Sequence, residues 1–156
     1  MASIDDFFVG KRYALVDVDP LTPYGRGLAE KLRSGGREVH FVLGGRIAGG
    51  TASGEAIHAD LAEVPSPIDG VILNIEKNPD RMLAVTKTAV EKGVPRIWIE
   101  NRCDPGEAVD YAVAHGVTVV DNVCALLALD AGGIHWFHRK VLDVFGRTPK
   151  SVEGAG

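Results

Sequence analysis

Short apolar runs alternate along the chain with longer segments in which apolar residues recur at helical spacing. Each run is apolar at consecutive positions rather than at every second one, which is typical of strands covered on both faces of a sheet. Strands that alternate with helices in this way predict an α/β fold with a parallel sheet. The runs that predict strands are residues 12–18, 38–43, 69–75, 95–100 and 116–121.

Capping residues mark the starts of two predicted helices. Thr22 is suited to cap the first helix, Pro23 to occupy its first position, and Gly35-Gly36 to end it. Asn78-Pro79 opens another helix, which is predicted to run to about Lys92. Both helices follow an apolar run directly, as βαβ units require.

The remaining helices rest on local patterns. Residues 58–65 are predicted to form a short helix that ends before Pro65. Asp104-Pro105 is predicted to open a further helix, with Glu107 placed for a capping box. Residues 124–130 and 134–146 are also predicted to be helical. The glycine-rich segment 44–56 is predicted to be a loop.

Right-handed crossovers between the five strands predict one doubly wound, Rossmann-like domain over residues 1–156, with the strand order 3-2-1-4-5. An extra C-terminal helix follows the last strand, and residues 147–156 are predicted to be a flexible tail. In such a sheet, ligands bind at the carboxyl ends of the strands, where the strand order reverses. This rule predicts a site built from the loops 17–26, 43–46, 74–78 and 100–104, with 121–124 at its rim.

The last predicted helix carries an apolar stripe at helical spacing. Such a face must be buried, so it predicts either a core contact or a homodimer contact. The stripe consists of Ile134, Phe137, Val141, Leu142 and Phe145. His135 and His138 share this helix, and packing is the preferred interpretation for them because no third metal ligand accompanies them.

Composition excludes several classes of function. The 156 residues carry a net charge of −4 with a pI near 5.7, which argues against nucleic-acid binding. No apolar run approaches the roughly 20 residues that a membrane span needs, and the N-terminus lacks the pattern of a signal peptide. Cys103 and Cys124 form no CxxC pair, so reduced thiols in the cytoplasm are predicted.

The first loop of the predicted site has unusual charge. Asp17 and Asp19 occupy the turn in which a phosphate is expected beside a helix N-terminus. A carboxylate about 5 Å from a phosphate opposes it by roughly 3 kcal/mol at an effective dielectric of 20. The helix dipole stabilises a phosphate at the helix N-terminus by only about 0.3–1 kcal/mol. A phosphate therefore needs a compensating cation, for which Arg26, Arg46 and Lys77 are the candidates. Capping of the turn by the two aspartates is the structural alternative.

The order of the segments resembles a known family. "DDFFVGKRYALV", "PYGRGLAEKLRSGGREVHFV", "HADLAEVPSPIDGVILNI", "EKGVPRIWIENR" and "AVAHGVTVVDNVC" follow one another as in the small bacterial CoA-binding proteins. These are single-domain relatives of the CoA-binding domain of succinyl-CoA synthetase. The resemblance covers residues 6 to about 124, and the tail "HWFHRKVLDVFGRTPK" looks like the extra helix of one subgroup. It implies a Rossmann-like fold and CoA as the cofactor.

All four site loops depart from that family's usual pattern. Asp17 and Asp19 stand where the family typically has Gly-x-Ser, and Leu43-Gly44-Gly45 stands where Asn-Pro-Lys is common. Asn74-Ile75-Glu76 replaces a Val-Pro step, and Glu100-Asn101-Arg102 replaces a Gln followed by Pro-Gly. The resemblance implies that the ligand contacts lie in these loops. The candidate contacts are Asp17, Val18, Asp19, Tyr24, Gly25, Arg26, Gly44, Arg46, Asn74, Ile75, Lys77, Glu100, Asn101 and Cys124.

Three functions remain open from the sequence. The preferred hypothesis is a non-catalytic module that binds CoA or a related nucleotide through an altered phosphate loop. The second is an interaction or scaffold protein that has lost the ligand. The third is a small enzyme that uses cleft carboxylates and Cys124, although burial as a small apolar residue is the alternative for that cysteine. The pattern assigns no catalytic residue and no metal ligand, and it leaves enzyme activity undecided.

Overall fold

The computed structural model of the chain describes residues 4–44, 54–130 and 150–152. Six strands form a parallel sheet in the order β3-β2-β1-β4-β5-β6, and a seventh strand joins the outer edge of β6 in antiparallel orientation. The strands are β1 Arg12–Val16, β2 Glu38–Val42, β3 Ile57–His58, β4 Gly70–Leu73, β5 Arg96–Ile99, β6 Thr118–Asp121 and β7 Lys150–Val152.

The helices cover both faces of this sheet. They are α1 Ile4–Phe7, α2 Pro23–Ser34, α3 Pro79–Glu91, α4 Ala108–Ala114 and α5 Ala125–Asp130, with a 3₁₀ turn at Leu61–Glu63. Alternate residues of β1 point to opposite faces, so Tyr13 and Leu15 pack with α1, α2 and α5, whereas Ala14 and Val16 pack with α3, α4 and the 3₁₀ turn. The two apolar cores explain why the strand sequences are apolar at consecutive positions.

The predicted sheet was right in class but wrong in strand number and order. The segment 69–75 was placed beyond β2, but its strand β4 lies on the other side of β1, with Leu15 opposite Ile72. The position beyond β2 is taken by the two-residue strand β3, which the sequence analysis did not predict. The predicted order 3-2-1-4-5 matches the structure only if its strand 3 is the short strand β3 and not the segment 69–75. The parallel sheet also continues beyond β5 with β6.

The capping signals at Thr22 and Asn78 are confirmed. Thr22 Oγ1 accepts a hydrogen bond from the Gly25 amide at 3.0 Å, and Asn78 Oδ1 accepts one from the Arg81 amide at 3.1 Å. Pro23 and Pro79 each begin their helix, where the missing amide hydrogen has no cost. These two helix starts face the carboxyl edge of the sheet, because each follows its strand through a short loop.

Of two other helix predictions, one was wrong and one was right about the helix but wrong about its start. Residues 58–65 form no α-helix, because Ile57–His58 pair with β2 and Asp60 then caps only a 3₁₀ turn at Leu61–Glu63. The helix predicted from Asp104-Pro105 begins three residues later, at Ala108, and Glu107 makes no capping hydrogen bond through its side chain. The Asp104 carboxylate accepts from the Gly106 amide and so closes a turn.

Several predictions fall outside the described residues. These are the helix at 134–146 with its apolar stripe and histidines, most of the glycine-rich loop with Arg46, and the tail apart from the three residues of β7. Within the part of the chain that the structure describes, no helix is long and apolar enough to cross a membrane.

Candidate functional site

A cavity of about 920 Å³ opens at the carboxyl edge of the sheet, where the strand order reverses beside β1. Its volume lies within the range of about 300–1,000 Å³ that is usual for small-molecule sites. Most of its lining residues are polar or charged, and most of these follow the strands β1, β4 and β5. The lining residues are Asp17, Asp19, Thr22, Tyr24, Gly44, Asn74, Ile75, Glu76, Asn78, Arg81, Glu100, Asn101, Arg102, Cys124 and Leu127.

Left-handed backbone conformations cluster at this edge. Among the described residues, the non-glycine residues with positive φ are Asp17 (58°), Lys77 (51°), Arg102 (76°) and Asn122 (67°). Each follows a different strand, namely β1, β4, β5 or β6, within four residues. Such conformations cost about 1–3 kcal/mol each for many side chains, and they concentrate at ligand sites.

The loop after β1 folds back tightly on helix α2. Asp19 Oδ1 accepts from the Leu21 amide at 2.9 Å, and the Asp19 backbone oxygen accepts from Thr22 Oγ1 at 2.7 Å. Gly25 allows this close approach, since a Cβ at that position would overlap the Asp19 carbonyl. Asp19 therefore has a capping role in the turn, as the structural alternative from the sequence proposed.

Alanine substitutions at two glycines of helix α2 are expected to have opposite effects. Gly25→Ala should destabilise the fold by about 1–3 kcal/mol, because the new Cβ would displace the Asp19 carbonyl. Gly27→Ala is the matched control, since its Cβ would make ordinary contacts at 3.5 Å with the methyl groups of Leu126. Gly27→Ala should stabilise the helix by about 0.5–1 kcal/mol. Urea denaturation of both variants measures the difference, and equal effects would contradict the close approach at Gly25.

Asp17 is paired with an arginine that the sequence analysis did not consider. Arg81 donates from Nε to Asp17 Oδ2 at 3.0 Å and from Nη2 to Oδ1 at 2.7 Å. About a third of each side chain is exposed, 29% for Asp17 and 32% for Arg81. This two-point geometry is the strongest arrangement for a guanidinium and a carboxylate. The hydrogen bonds to Asp17 also raise the pKa of Arg81.

Two neighbouring features hold Arg81 at the cavity. Arg81 lies in the first turn of α3, which Asn78 caps. Gly44 leaves room for its guanidinium, since a Cβ at residue 44 would lie 2.7 Å from Arg81 Nη2. Asp17 takes up Nε and one hydrogen of Nη2, so the Nη1 group stays outside this ion pair. The arginine can thus face both the carboxylate and an anion in the cavity.

The structure brings together nine of the fourteen predicted contacts. Those that line the cavity are Asp17, Asp19, Tyr24, Gly44, Asn74, Ile75, Glu100, Asn101 and Cys124. Val18 and Gly25 are buried beside it rather than in its wall. Lys77 is exposed and does not line the cavity, and Arg46 lies outside the described residues. Arg26 is also exposed, and its guanidinium donates to the Leu21 carbonyl at 3.2 Å. Neither Arg26 nor Lys77 therefore compensates Asp17.

Glu100 is the most deeply buried acid of the cavity wall, with 3% of its surface exposed. Its Oε1 accepts a hydrogen bond from the Ala125 amide at 2.9 Å. Burial raises the pKa of Glu100 to about 7. The Tyr24 side chain interacts with Glu100 and partly offsets this rise in its pKa. Burial strongly raises the pKa of Tyr24 as well.

Burial disfavours the thiolate form of the two cysteines near Glu100. Burial and the neighbouring Glu100 raise the pKa of Cys124 to about 11 and that of Cys103 to about 12. Both are therefore protonated at neutral pH, and the thiolate is the reactive form. This argues against the alternative in which Cys124 serves as a nucleophile. In the described ranges, no group of three or more His, Cys, Asp or Glu side chains could hold a metal ion.

Comparisons with known proteins identify a family and a shared fold. A family model described as a CoA-binding domain matches residues 13–130. None of the curated proteins compared with the chain matches it. Among solved structures, a hypothetical protein from Pyrococcus horikoshii OT3 is 21% identical with a TM-score of 0.69, covering 81% of this chain and 87% of its own.

Two further solved structures share the fold. A protein from Thermus thermophilus is 18% identical with a TM-score of 0.69, covering 81% of this chain and 94% of its own. A conserved hypothetical protein from Pyrococcus furiosus is 23% identical with a TM-score of 0.63, and the match covers 76% of this chain and 98% of that protein's chain. At these identities the likeness concerns the fold alone. The family match spans the loops that form the cavity, from Asp17 to Leu127.

Proposed function

The chain belongs to the family of CoA-binding domains, and we propose that it is a non-catalytic module that binds CoA or a related nucleotide in the cavity beside β1. Its phosphate loop is altered, because Asp17 replaces the glycine that the family typically has at this point. The family membership supports the ligand class. The arrangement of charges in the cavity supports the proposal that the ligand's phosphates bind at the altered loop.

The observation that carries this proposal is the ion pair between Arg81 and Asp17. An unpaired carboxylate would oppose a phosphate about 5 Å away by roughly 3 kcal/mol. The guanidinium of Arg81 cancels that charge and keeps its Nη1 group for an anion. The N-termini of α2 and α3 lie at the same cavity, through Thr22 and Asn78, and add favourable dipoles.

The scaffold alternative from the sequence rests on a phosphate site closed by Asp17 and Asp19. Arg81 neutralises the first aspartate, and a turn of the β1–α2 loop uses the second. The cavity stays open between them. These features favour a ligand over a scaffold, whereas a single domain over 1–156, a homodimer and a cytoplasmic location remain predictions from the sequence.

A thermal-shift titration tests the proposed ligand. We expect CoA to raise the melting temperature, since a ligand at 100 times its Kd stabilises a fold by about 2.7 kcal/mol. ATP, AMP and NAD serve as related nucleotides, and pantetheine tests the arm without phosphates. We expect pantetheine alone to give a smaller shift than CoA, because it lacks the groups that Arg81 faces. No shift with any phosphate-bearing compound would overturn the proposal and favour the scaffold alternative.

A further inference from the structure

Two histidines meet at the edge of the sheet, outside the lining of the cavity. His40 lies in β2 and His58 in the two-residue strand β3. His58 stands opposite Val42, two residues beyond His40, so the two imidazoles point to the same face of the sheet. His40 Nδ1 lies 3.0 Å from His58 Nε2, which is a hydrogen-bond distance. The pair therefore links β3 to β2 through side chains as well as through the backbone.

A glutamate beside His40 fixes the direction of these hydrogen bonds. Glu38 Oε2 lies 2.7 Å from His40 Nε2 and also accepts a hydrogen bond from Arg12 Nε. These contacts lower the pKa of Glu38 to about 2, so its side chain is a carboxylate and can only accept. His40 Nε2 therefore carries a hydrogen, and Nδ1 of the neutral ring is an acceptor. His58 must then donate to it from Nε2.

This arrangement accepts one added proton but not two. A proton on His58 Nδ1 leaves the contact intact, because His58 Nε2 still donates to His40. A second proton must go to His40 Nδ1, where its N–H would point at the N–H of His58 across a gap that holds one hydrogen. The two imidazolium charges would also repel each other. Double protonation is therefore incompatible with contact between the two rings.

We propose that His40 and His58 form a pH-sensitive clasp, which holds β3 on the sheet at neutral pH and releases it in acid. The inference goes beyond the proposed function and does not depend on its ligand. With only two residues at the edge of the sheet, β3 has few backbone hydrogen bonds to hold it. The Leu43 amide donates to the His58 carbonyl at 3.0 Å, and Gly44 after it lines the cavity. Release of β3 therefore frees part of the cavity wall.

The pH range of the release follows from proton counts. Among the described residues, the charged groups that contact the two rings or shift the His58 pKa are Glu38, paired with Arg12, and Glu63 of the 3₁₀ turn. Burial and the neighbouring His40 lower the pKa of His58 from its ordinary value of 6.5, and Glu63 opposes that shift. Released histidines together bind two protons below about pH 6.5, whereas the clasp binds one at most, so release is favoured as the pH falls. A difference of one proton shifts the equilibrium about tenfold for each pH unit.

Amide hydrogen exchange measured by NMR between pH 5 and pH 8 tests the clasp in wild type and His58→Gln. The Leu43 amide reports on β3, and the Asn74 amide, which donates to the Val16 carbonyl of β1, reports on the centre of the sheet. We expect the protection factor of Leu43 in wild type to fall about tenfold between pH 6 and pH 5, with that of Asn74 unchanged. Glutamine keeps an N–H donor near the position of Nε2 and does not titrate, so in His58→Gln the protection of Leu43 should not depend on pH.

His115→Gln is the matched control, because it changes an exposed histidine at the end of α4 and should behave as wild type. Nitrogen-15 NMR of the imidazoles keeps the test decisive if His58→Gln fails to fold. At pH 8 we expect both His40 and His58 to carry their hydrogen on Nε2, and a hydrogen on Nδ1 of either ring would overturn the inference. It would also be overturned by protection at Leu43 that does not fall in acid, or that falls equally in His58→Gln. An equal fall at Asn74 would overturn it too, because the whole sheet would then open rather than β3 alone.

Discussion

Arg81→Ala is expected to weaken CoA binding roughly a hundredfold, the largest effect that a single substitution should have on the ligand. The variant removes a cation beside the phosphates and leaves the Asp17 carboxylate without its partner. An opposing charge of roughly 3 kcal/mol corresponds to about two powers of ten in Kd. Isothermal titration calorimetry at low and moderate salt measures the loss, and added salt should reduce it.

A double-mutant cycle separates the effect of the Asp17 charge on CoA binding from the effect of the contact between Arg81 and the ligand. Asp17→Asn removes the carboxylate, and asparagine tolerates the left-handed conformation at φ 58°. We expect Asp17→Asn to bind CoA at least as well as wild type, and Asp17→Asn/Arg81→Ala to recover part of the affinity lost in Arg81→Ala. Arg26→Ala is the matched control, because Arg26 is exposed and lies outside the cavity lining. Equal losses in Arg26→Ala and Arg81→Ala would contradict a specific role for Arg81.

Glu100→Gln is expected to stabilise the protein by about 3 kcal/mol at pH 8. The pKa of Glu100 is about 7 in the folded protein against an ordinary value of 4.5. Between these values the folded state binds more protons than the unfolded state, so the free energy of unfolding falls as the pH rises from 4.5 to 7. Above pH 7 the burial of a charged carboxylate has its full cost, which glutamine avoids.

The pH profile of the free energy of unfolding checks this expectation. Denaturation with urea between pH 4.5 and 8.5 should show wild type losing stability with rising pH more steeply than Glu100→Gln. Glu30→Gln is a control, because Glu30 is an exposed glutamate of α2. Parallel profiles for wild type and Glu100→Gln would show that Glu100 is charged in the folded protein throughout this range.

The location of the cavity could be predicted from the sequence because it depends on topology. A parallel sheet places its loops at one edge, and the carboxyl ends of the apolar runs can be read directly from the pattern. Thr22 and Asn78 marked the two helix starts at the cavity through their capping signals. The loops after β1, β4 and β5 therefore supply most of the cavity wall, as the sequence analysis predicted for their positions.

The partner of Asp17 could not be predicted because it depends on strand order. Arg81 reaches Asp17 only because β4 lies beside β1. The sequence pattern predicts that strand beyond β2, because β3 has only two residues and gives no periodic signal. Cations nearer in sequence, such as Arg26, then took precedence in the prediction. At this site, the partner of Asp17 comes from the segment after the neighbouring strand in the sheet and not from the segment that is nearest in sequence.

The protonation state of Glu100 depends on its burial, which the pattern of apolar and polar residues along the sequence does not reveal. A glutamate at a strand end is usually solvated, and the sequence left that interpretation open for the acids of the cleft. Packing of α2 and α5 over the end of β5 encloses Glu100 together with Tyr24. Among the described residues, no cation is a cause of the shifted pKa of Glu100. The protonation state of this acid could thus be inferred only from the three-dimensional arrangement.

A crystal structure of the chain with CoA tests the central claim most directly. The account predicts the phosphates of CoA beside Arg81 at the N-termini of α2 and α3, with the ion pair to Asp17 kept and Gly44 at the ligand. It would be contradicted by CoA bound elsewhere on the molecule, or by phosphates in the cavity that make no contact with Arg81.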